Sequence, residues 1–233
     1  MNNRRVPTFP VMELPMIAFL LAIAAGSMDG YTYFIGKAFS TVQSGNIILI
    51  GQTIATKSWD HLGIVLVTVL CFGIGSVATG ILEVIGVKKK EVWAFEILII
   101  EAIVLILLGI SGVNKLFEPL HLCMIISFLA GMQGNAFHKI DGMLYGNVAV
   151  TLVVQLAFNY IVQAIAGQKD ALKNSWLYFL VLIGFACGGL MGTFLTSQMG
   201  EKSLWFTAIF LLGIAIYSKV IKAENHAIVI DPD

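Results

Sequence analysis

The sequence predicts an all-α polytopic membrane protein with six to eight membrane segments, and three observations lead there. Hydrophobic residues make up 58% of the chain and charged residues only 12%, with a mean hydropathy of +0.89, against about 45–50% apolar and about 25% charged in soluble domains. The apolar residues fall into long runs separated by short charged or Gly/Asn/Pro-rich breaks. The two halves of the chain also echo each other. A water-soluble fold could not cover this much apolar side chain, and 233 residues suit one compact bundle with short connections.

Eight candidate segments lie near residues 15–34, 42–56, 61–86, 92–112, 119–137, 144–166, 174–198 and 203–221. A cytoplasmic tail over 1–14 precedes the single membrane domain of 15–221, and a polar tail over 222–233 follows it. Arg4 and Arg5 before the first run, with Ala22-Ile23-Ala24-Ala25-Gly26 inside it, resemble a cleavable leader. Met28 to Ile35 continues the apolar run, so the segment reads as an uncleaved first helix. The second segment is polar, with Gln43, Ser44, Asn46, Gln52 and Thr53, and suits a broken or re-entrant helix lined by protein. With eight crossings and a cytoplasmic start, Lys88, Lys89 and Lys90 fall outside, against the preference of cytoplasmic loops for Lys and Arg. If the second and sixth segments are re-entrant, those lysines join Lys169, Lys173, Lys219, Lys222, Arg4 and Arg5 on the cytoplasmic side. The sixth segment, however, is a continuous apolar run of full spanning length.

The echo has a register. Ser44-Gly45-Asn46-Ile47 opens the second segment and Tyr145-Gly146-Asn147-Val148 the sixth. Ser76, Gly80 and Trp93 match Gly188, Gly192 and Trp205 at a constant offset of 112 residues. The expectation is an internal duplication of four segments, about 15–112 and about 119–221. Two related half-bundles packed about a pseudo-axis leave a central interface at which small movements open one side or the other. A purely structural duplication predicts the same echo.

Each Gly-Asn pair can start a helix inside the membrane, because Gly permits a tight backbone approach and Asn caps. Such a start exposes amide hydrogens and the positive end of the helix dipole. An ordinary helix cap after a loop is the plainer alternative. Asn147, Thr151, Gln155, Asn159 and Gln163 recur every fourth residue, a stripe that belongs against protein or water, either lining a path or bonding neighbouring helices. Glu101 sits near mid-membrane with apolar residues on both sides, where an unpaired charge costs several kcal/mol, on the order of 3 on insertion scales. Asp29 lies among small residues in Gly26-Ser27-Met28-Asp29-Gly30, while Glu83 and Glu96 lie near segment ends and can reach headgroups. Gln133, Asn135, His138 and Asp141 cluster at a helix end and turn, with Asn135 and His138 spaced to approach and His138 able to shuttle a proton if Asp141 reaches it.

Other chemistry is not encoded. The histidines and carboxylates lack the grouping of a catalytic zinc site, and no phosphate-binding Gly-x-x-x-x-Gly-Lys-Ser/Thr loop occurs. Cys71, Cys123 and Cys187 read as buried thiols without metal-ligand spacing. With zero net charge and one short basic run, no nucleic-acid partner is implied, and no metal or cofactor is expected. Gly184, Gly188 and Gly192, with a shorter version in Ser76 and Gly80, form small faces for close helix crossing, within the chain or between copies in a homo-oligomer. Trp59, Trp93, Trp176 and Trp205 read as interface anchors.

The motifs Ala25-Gly26-Ser27-Met28-Asp29-Gly30 with Gln43-Ser44-Gly45-Asn46, and Ala130-Gly131-Met132-Gln133-Gly134-Asn135-Ala136 with Tyr145-Gly146-Asn147, resemble those of the YoaK-like family of uncharacterised bacterial membrane proteins, a domain of unknown function. Members typically carry Gly-x-x-Asp-Ala and Thr-Gly-Asn, then Gly-Leu/Met-Gln-Asn-Ala and a second Thr-Gly-Asn. Here Gly30 stands for the Ala, Ser44 and Tyr145 for the two Thr, and Gly134 is inserted before Asn135. The resemblance spans roughly 15–220 and implies a bacterial plasma membrane, with no established activity.

The parts assemble most readily into a small-solute secondary transporter or permease. In that reading Asn46, Asn147, Gln133, Gln155 and Asn135 bind an unknown small polar solute or ion, and Asp29 or Glu101 carries a coupling proton. A non-transporting interaction or scaffold protein, and an intramembrane enzyme centred on Asp29, His138 or Glu101, are the alternatives.

Overall fold

The computed structural model describes residues 11–89 and 94–220. Arg4, Arg5, Lys90, Trp93, Lys222 and the remainder of both tails lie outside them. A 3-10 turn at Val11–Glu13 leads into α1 (Pro15–Gly36), followed by α2 (Gln43–Ala55), α3 (Trp59–Lys89), α4 (Ala94–Leu108), the single turn α5 (Ser111–Asn114) and α6 (Pro119–Ala136). A two-stranded hairpin, β1 (Lys139–Ile140) and β2 (Met143–Leu144), precedes α7 (Val150–Ile165), α8 (Ala171–Met199), a 3-10 turn at Gly200–Ser203 and α9 (Leu204–Val220). The result is an all-α bundle apart from that hairpin.

The boundaries follow local chemistry. Pro15 and Pro119 occupy the first turns of α1 and α6, where no amide hydrogen is needed. Lys37 ends α1 in the left-handed region, its amide bonding Tyr33 O. Gly200, at φ +58°, separates α8 from α9 in a conformation that side chains rarely adopt. Asp141 and Gly142, both at positive φ, make the tight turn of the hairpin. Helix α7 covers less than the expected 144–166, because the hairpin and the loop behind it take up the residues before Val150. Asn147 therefore precedes the helix, and the expected five-residue polar stripe is not one helical face.

Three stretches, Pro15–Gly36, Trp59–Ile85 and Ala171–Ser218, are long and apolar enough to cross a bilayer. On α3, Leu70, Ile74, Val77 and Ile81 form an outward apolar stripe suited to lipid tails. Trp59 and Trp176 are exposed, and Trp205, 40% exposed, donates its indole N–H to Ile106 O.

Two close crossings organise the bundle. Where α1 crosses α8, a Cβ on Gly26 would collide with the Phe185 carbonyl and one on Gly188 with the Ile23 carbonyl. Where α3 crosses α6, Gly131 stands against the Phe72 carbonyl and Gly75 against the Phe128 carbonyl in the same way. Ser76 and Thr79 strengthen the second crossing by donating to Gly131 O and Met132 O. Gly184 and Gly192 also face α1 of the same chain, so this small-residue face is filled from within and is not open to a second copy. The larger core packs α1, α4, α6 and α9 around Leu21, Met28, Leu98, Ile126 and Leu211, and a second core joins α1, the hairpin, α7 and α8 around Tyr145, Val153 and Tyr178.

The chain flanking α2 meets at one end of the bundle, and the chain flanking α7 at the opposite end. His61, in the first turn of α3, has Nε2 3.0 Å from Lys37 O just past α1, so α2 lies between two adjacent ends. The hairpin after α6 meets both the start of α1 and the start of α8. Asp141 N donates to Glu13 O at 3.0 Å, and Lys173 pairs with the Asp141 carboxylate at 2.6 Å. Helix α7 likewise lies between adjacent ends.

Candidate functional site

In the first half the polar residues close on one another. After α1 the chain turns back into the bundle, and the carboxylate of Asp29 receives Ser40 Oγ at 3.1 Å, Thr41 N at 2.7 Å and Thr41 Oγ1 at 2.5 Å. Ser127 of α6 donates to Ser40 O at 3.0 Å and Thr68 O at 2.8 Å, tying this loop to α3 and α6. Asn46, wholly buried, receives Phe39 N at 2.9 Å on its oxygen and donates to Phe39 O at 2.6 Å and Gln43 Oε1 at 2.8 Å. This clasp uses the side-chain amide as a peptide group would be used, engaging both its oxygen and its nitrogen within the loop. Ser40, Thr41 and Ser127 carry the arrangement, yet no motif in the sequence marks them.

In the second half a comparable asparagine makes fewer bonds. Asn147 Nδ2 donates to Phe137 O at 2.7 Å, while its Oδ1 is buried without a hydrogen-bond partner. Gln133, in the last turn of α6, donates Nε2 to Leu21 O of α1 at 3.2 Å, and its Oε1 is likewise unpartnered. Tyr145 packs with Ala18 and Ala22 of α1; its hydroxyl lies beside the Asn147 side chain without meeting hydrogen-bond geometry and is also unpartnered. Phe137 N bonds Gln133 O and Tyr145 N bonds His138 O, which keeps these residues within one short stretch at the end of α6. In the sequence Tyr145 stands out only as the residue replacing a threonine of the related motif.

The remaining candidates are separate. Glu101 on α4 is wholly buried with both oxygens unpartnered. An unpaired carboxylate so placed is costly, several kcal/mol on the order of 3 in a membrane. Gln155 and Asn159 are exposed on the outer side of α7, with Thr151, and do not join Asn147. Asn135 is half-buried and contributes its carbonyl, 2.7 Å from His138 Nδ1, whereas Asp141 turns to Lys173. No hydrogen bond joins Asp29, His138 and Glu101 to one another. Glu96 is exposed and Glu83 half-buried.

A concavity of about 300 Å³ opens where α1 ends, between Tyr31, Ile35, Asn114, Leu122, Thr196 and Glu201. Asn114 Nδ2 crosses part of it to Tyr31 OH at 3.0 Å. The hydroxyl of Ser111, together with the backbone of Glu201 itself, holds the Glu201 carboxyl below the usual carboxylate range.

A family model described as "Protein of unknown function (DUF1275)" matches residues 17–217, from the third residue of α1 to the last turns of α9. The chain belongs to this family. The DUF1275 match takes in both glycine crossings, both Asn clasps and Glu101, and so agrees with the resemblance drawn from the Gly-Asn motifs. No curated protein and no solved structure matches the chain. This DUF1275 member is thus a membrane-embedded protein whose buried polar atoms without hydrogen-bond partners, among the described residues, belong to Glu101, Gln133, Tyr145 and Asn147.

Proposed function

We propose that the chain is a small-solute secondary transporter or permease of the bacterial plasma membrane, built from two halves of opposite orientation, about 15–112 and about 119–221. The exchange of contacts between the halves carries this reading. Moving from Ile23 and Gly26 of α1 to Phe128 and Gly131 of α6 is a shift of 105 residues, and from Phe72 and Gly75 of α3 to Phe185 and Gly188 of α8 one of 113. Under these shifts each crossing becomes the other, glycine for glycine and carbonyl for carbonyl. The second shift differs by one from the offset of 112 that Ser76, Gly80 and Trp93 suggest, because the backbone contact pairs Gly75, not Ser76, with Gly188.

Orientation supports the same reading. Cys123 lies against Thr32 O and Gln133 against Leu21 O, so α1 and α6 run antiparallel. Halves so related have their pseudo-axis in the membrane plane, the arrangement of many secondary transporters. Six helices, α1, α3, α4, α6, α8 and α9, then cross, while α2 and α7 dip in and return. Lys139, Lys169 and Lys173 share the side on which α1 begins, as a cytoplasmic start requires. Solute contacts fall to Gln133, Tyr145 and Asn147, proton coupling to Glu101, and Asp29 pins the first chain break.

The test is flux. Protein reconstituted into liposomes with a trapped pH-sensitive dye is offered gradients of amines, alkali cations, sugars and amino acids. Uptake of one class with accompanying proton movement is expected, with proton movement lost in Glu101→Gln. Folded, membrane-inserted protein that passes none of these classes would overturn the reading. The saturated bonds of Asn46 and Asp29 favour the scaffold alternative in the first half. A scaffold expects Gln133 and Asn147 variants to alter folded yield alone.

A further inference from the structure

The second-half clasp carries information about the charge of what it holds. The oxygen and nitrogen of an amide side chain are told apart by their hydrogen-bond partners. Here the partners leave no freedom. Gln133 faces Leu21 O and Asn147 faces Phe137 O, both backbone acceptors, so each side chain must turn its NH2 group to that carbonyl. The atoms left over are Gln133 Oε1 and Asn147 Oδ1, both acceptors, with the Tyr145 hydroxyl beside Asn147. Gln133 and Asn147 are wholly buried and Tyr145 is 3% exposed.

We infer that Gln133, Tyr145 and Asn147 form a binding site for a small monovalent cation, either an alkali ion or an ammonium group. A buried acceptor left unpaired is unfavourable, so the two oxygens favour a guest that brings positive charge or N–H donors. A carboxylate or phosphate would meet two oxygens of the wrong sign. A sugar would bring as many acceptors as donors, and its own oxygens would go unpaired. A divalent ion is disfavoured because no carboxylate belongs to the set. The helix dipoles do not decide the matter: the negative end of α6 arrives at Gln133, while the positive end of α7 begins at Val150, and the two oppose one another. The side-chain oxygens set the preference.

This inference rests on the transporter reading only for the cation's role as cargo or coupling ion. Binding itself stands on the amide geometry, and the experiment separates the two. The full chain, purified in detergent in N-methylglucamine chloride, is titrated with sodium, potassium, ammonium or methylammonium chloride at constant ionic strength, and Tm is followed. A saturable rise with at least one of these four is expected, with apparent affinity falling at least tenfold in Gln133→Leu and severalfold in Tyr145→Phe. Asn46→Ala should lower Tm while keeping the cation response. If Gln133→Leu does not fold, Tyr145→Phe alone decides the residue assignment. No cation-specific rise, or a rise unchanged in the folded variants, overturns the site. Cation-specific stabilisation without flux of any solute upholds the site and counts against transport. Flux without cation-specific stabilisation does the reverse.

Discussion

The two Gly-Asn breaks use one device for different ends. At Asn46 the side-chain amide bonds both the N–H and the C=O of Phe39 and reaches Gln43, so every polar atom is spent on holding the loop. At Asn147 one bond, to Phe137 O, holds the loop, and the oxygen remains unpartnered with Gln133 Oε1 and the Tyr145 hydroxyl in the same short stretch. The connecting chain explains the difference. Phe39 and Asn46 are joined by a short turn that brings the Phe39 amide to the Asn, whereas a hairpin separates Phe137 from Asn147 and directs its amides elsewhere. The proposed duplication would thus keep a closed clasp in one half and an open one in the other. The buried carboxyls divide similarly: Asp29 is cradled by Ser40 and Thr41, while Glu101 has no partner.

The largest expected effects test the equivalence of the two crossings. Gly26→Val and Gly131→Val each drive a side chain into an opposing backbone carbonyl that cannot give way. Both should cost more than about 3 kcal/mol and abolish monodisperse protein on size-exclusion chromatography. If one variant folds normally, the crossings are not counterparts. Next come the clasps. Asn46→Ala removes three hydrogen bonds and should cost about 2–4 kcal/mol, whereas Asn147→Ala removes one and also an unpartnered oxygen, for about 1 kcal/mol or less. Thermal melts of the two variants side by side read the gap, and equal losses would erase the distinction between closed and open clasp.

The carboxyls give a contrast of opposite sign. Asp29→Asn turns an amide donor toward Ser40 and Thr41 and should lower stability by about 1–3 kcal/mol. Glu101→Leu removes a buried group with no partner and should leave stability unchanged or raise it by about 1 kcal/mol. Chemical denaturation in mixed micelles would detect either departure. The smallest effect concerns Glu201, whose depressed carboxyl stabilises the contact between α5 and the turn before α9. Its contribution is present above the ordinary carboxylate range and is lost as pH falls through the depressed value. The Tm difference between wild type and Glu201→Gln should be no more than about 2–4 °C at neutral pH and vanish in acid. A difference that grows in acid would contradict the assigned bond.

Membrane character and helix positions were legible in the sequence, because hydropathy reports burial in lipid directly and Pro15, Pro119 and Gly200 mark boundaries by local geometry alone. The Gly-Asn pairs and Gln133 were legible as interior polar groups, since an amide in an apolar run needs a partner. Which of their atoms remain free was not, because that depends on backbone carbonyls far along the chain, such as Leu21 O for Gln133. Helical spacing placed Gln155 with Asn147, but the loop before Val150 breaks the helix between them and leaves Gln155 outside. Tyr145 was legible only as a replacement for a motif threonine and not as a site residue, because a tyrosine in an apolar stretch has the composition of ordinary core and only its unpaired hydroxyl distinguishes it.

The opposed halves require α2 and α7 each to enter and leave by one face, and impermeant thiol labelling tests this most directly. In a cysteine-free background, Lys37→Cys, Lys57→Cys, Lys139→Cys and Lys169→Cys are treated with a membrane-impermeant maleimide on intact cells. Labelling at positions 37 and 57 without permeabilisation, and at 139 and 169 only after it, is the expected result. Labelling that splits 37 from 57, or 139 from 169, would mean that the short helices cross, and the inverted arrangement would be wrong.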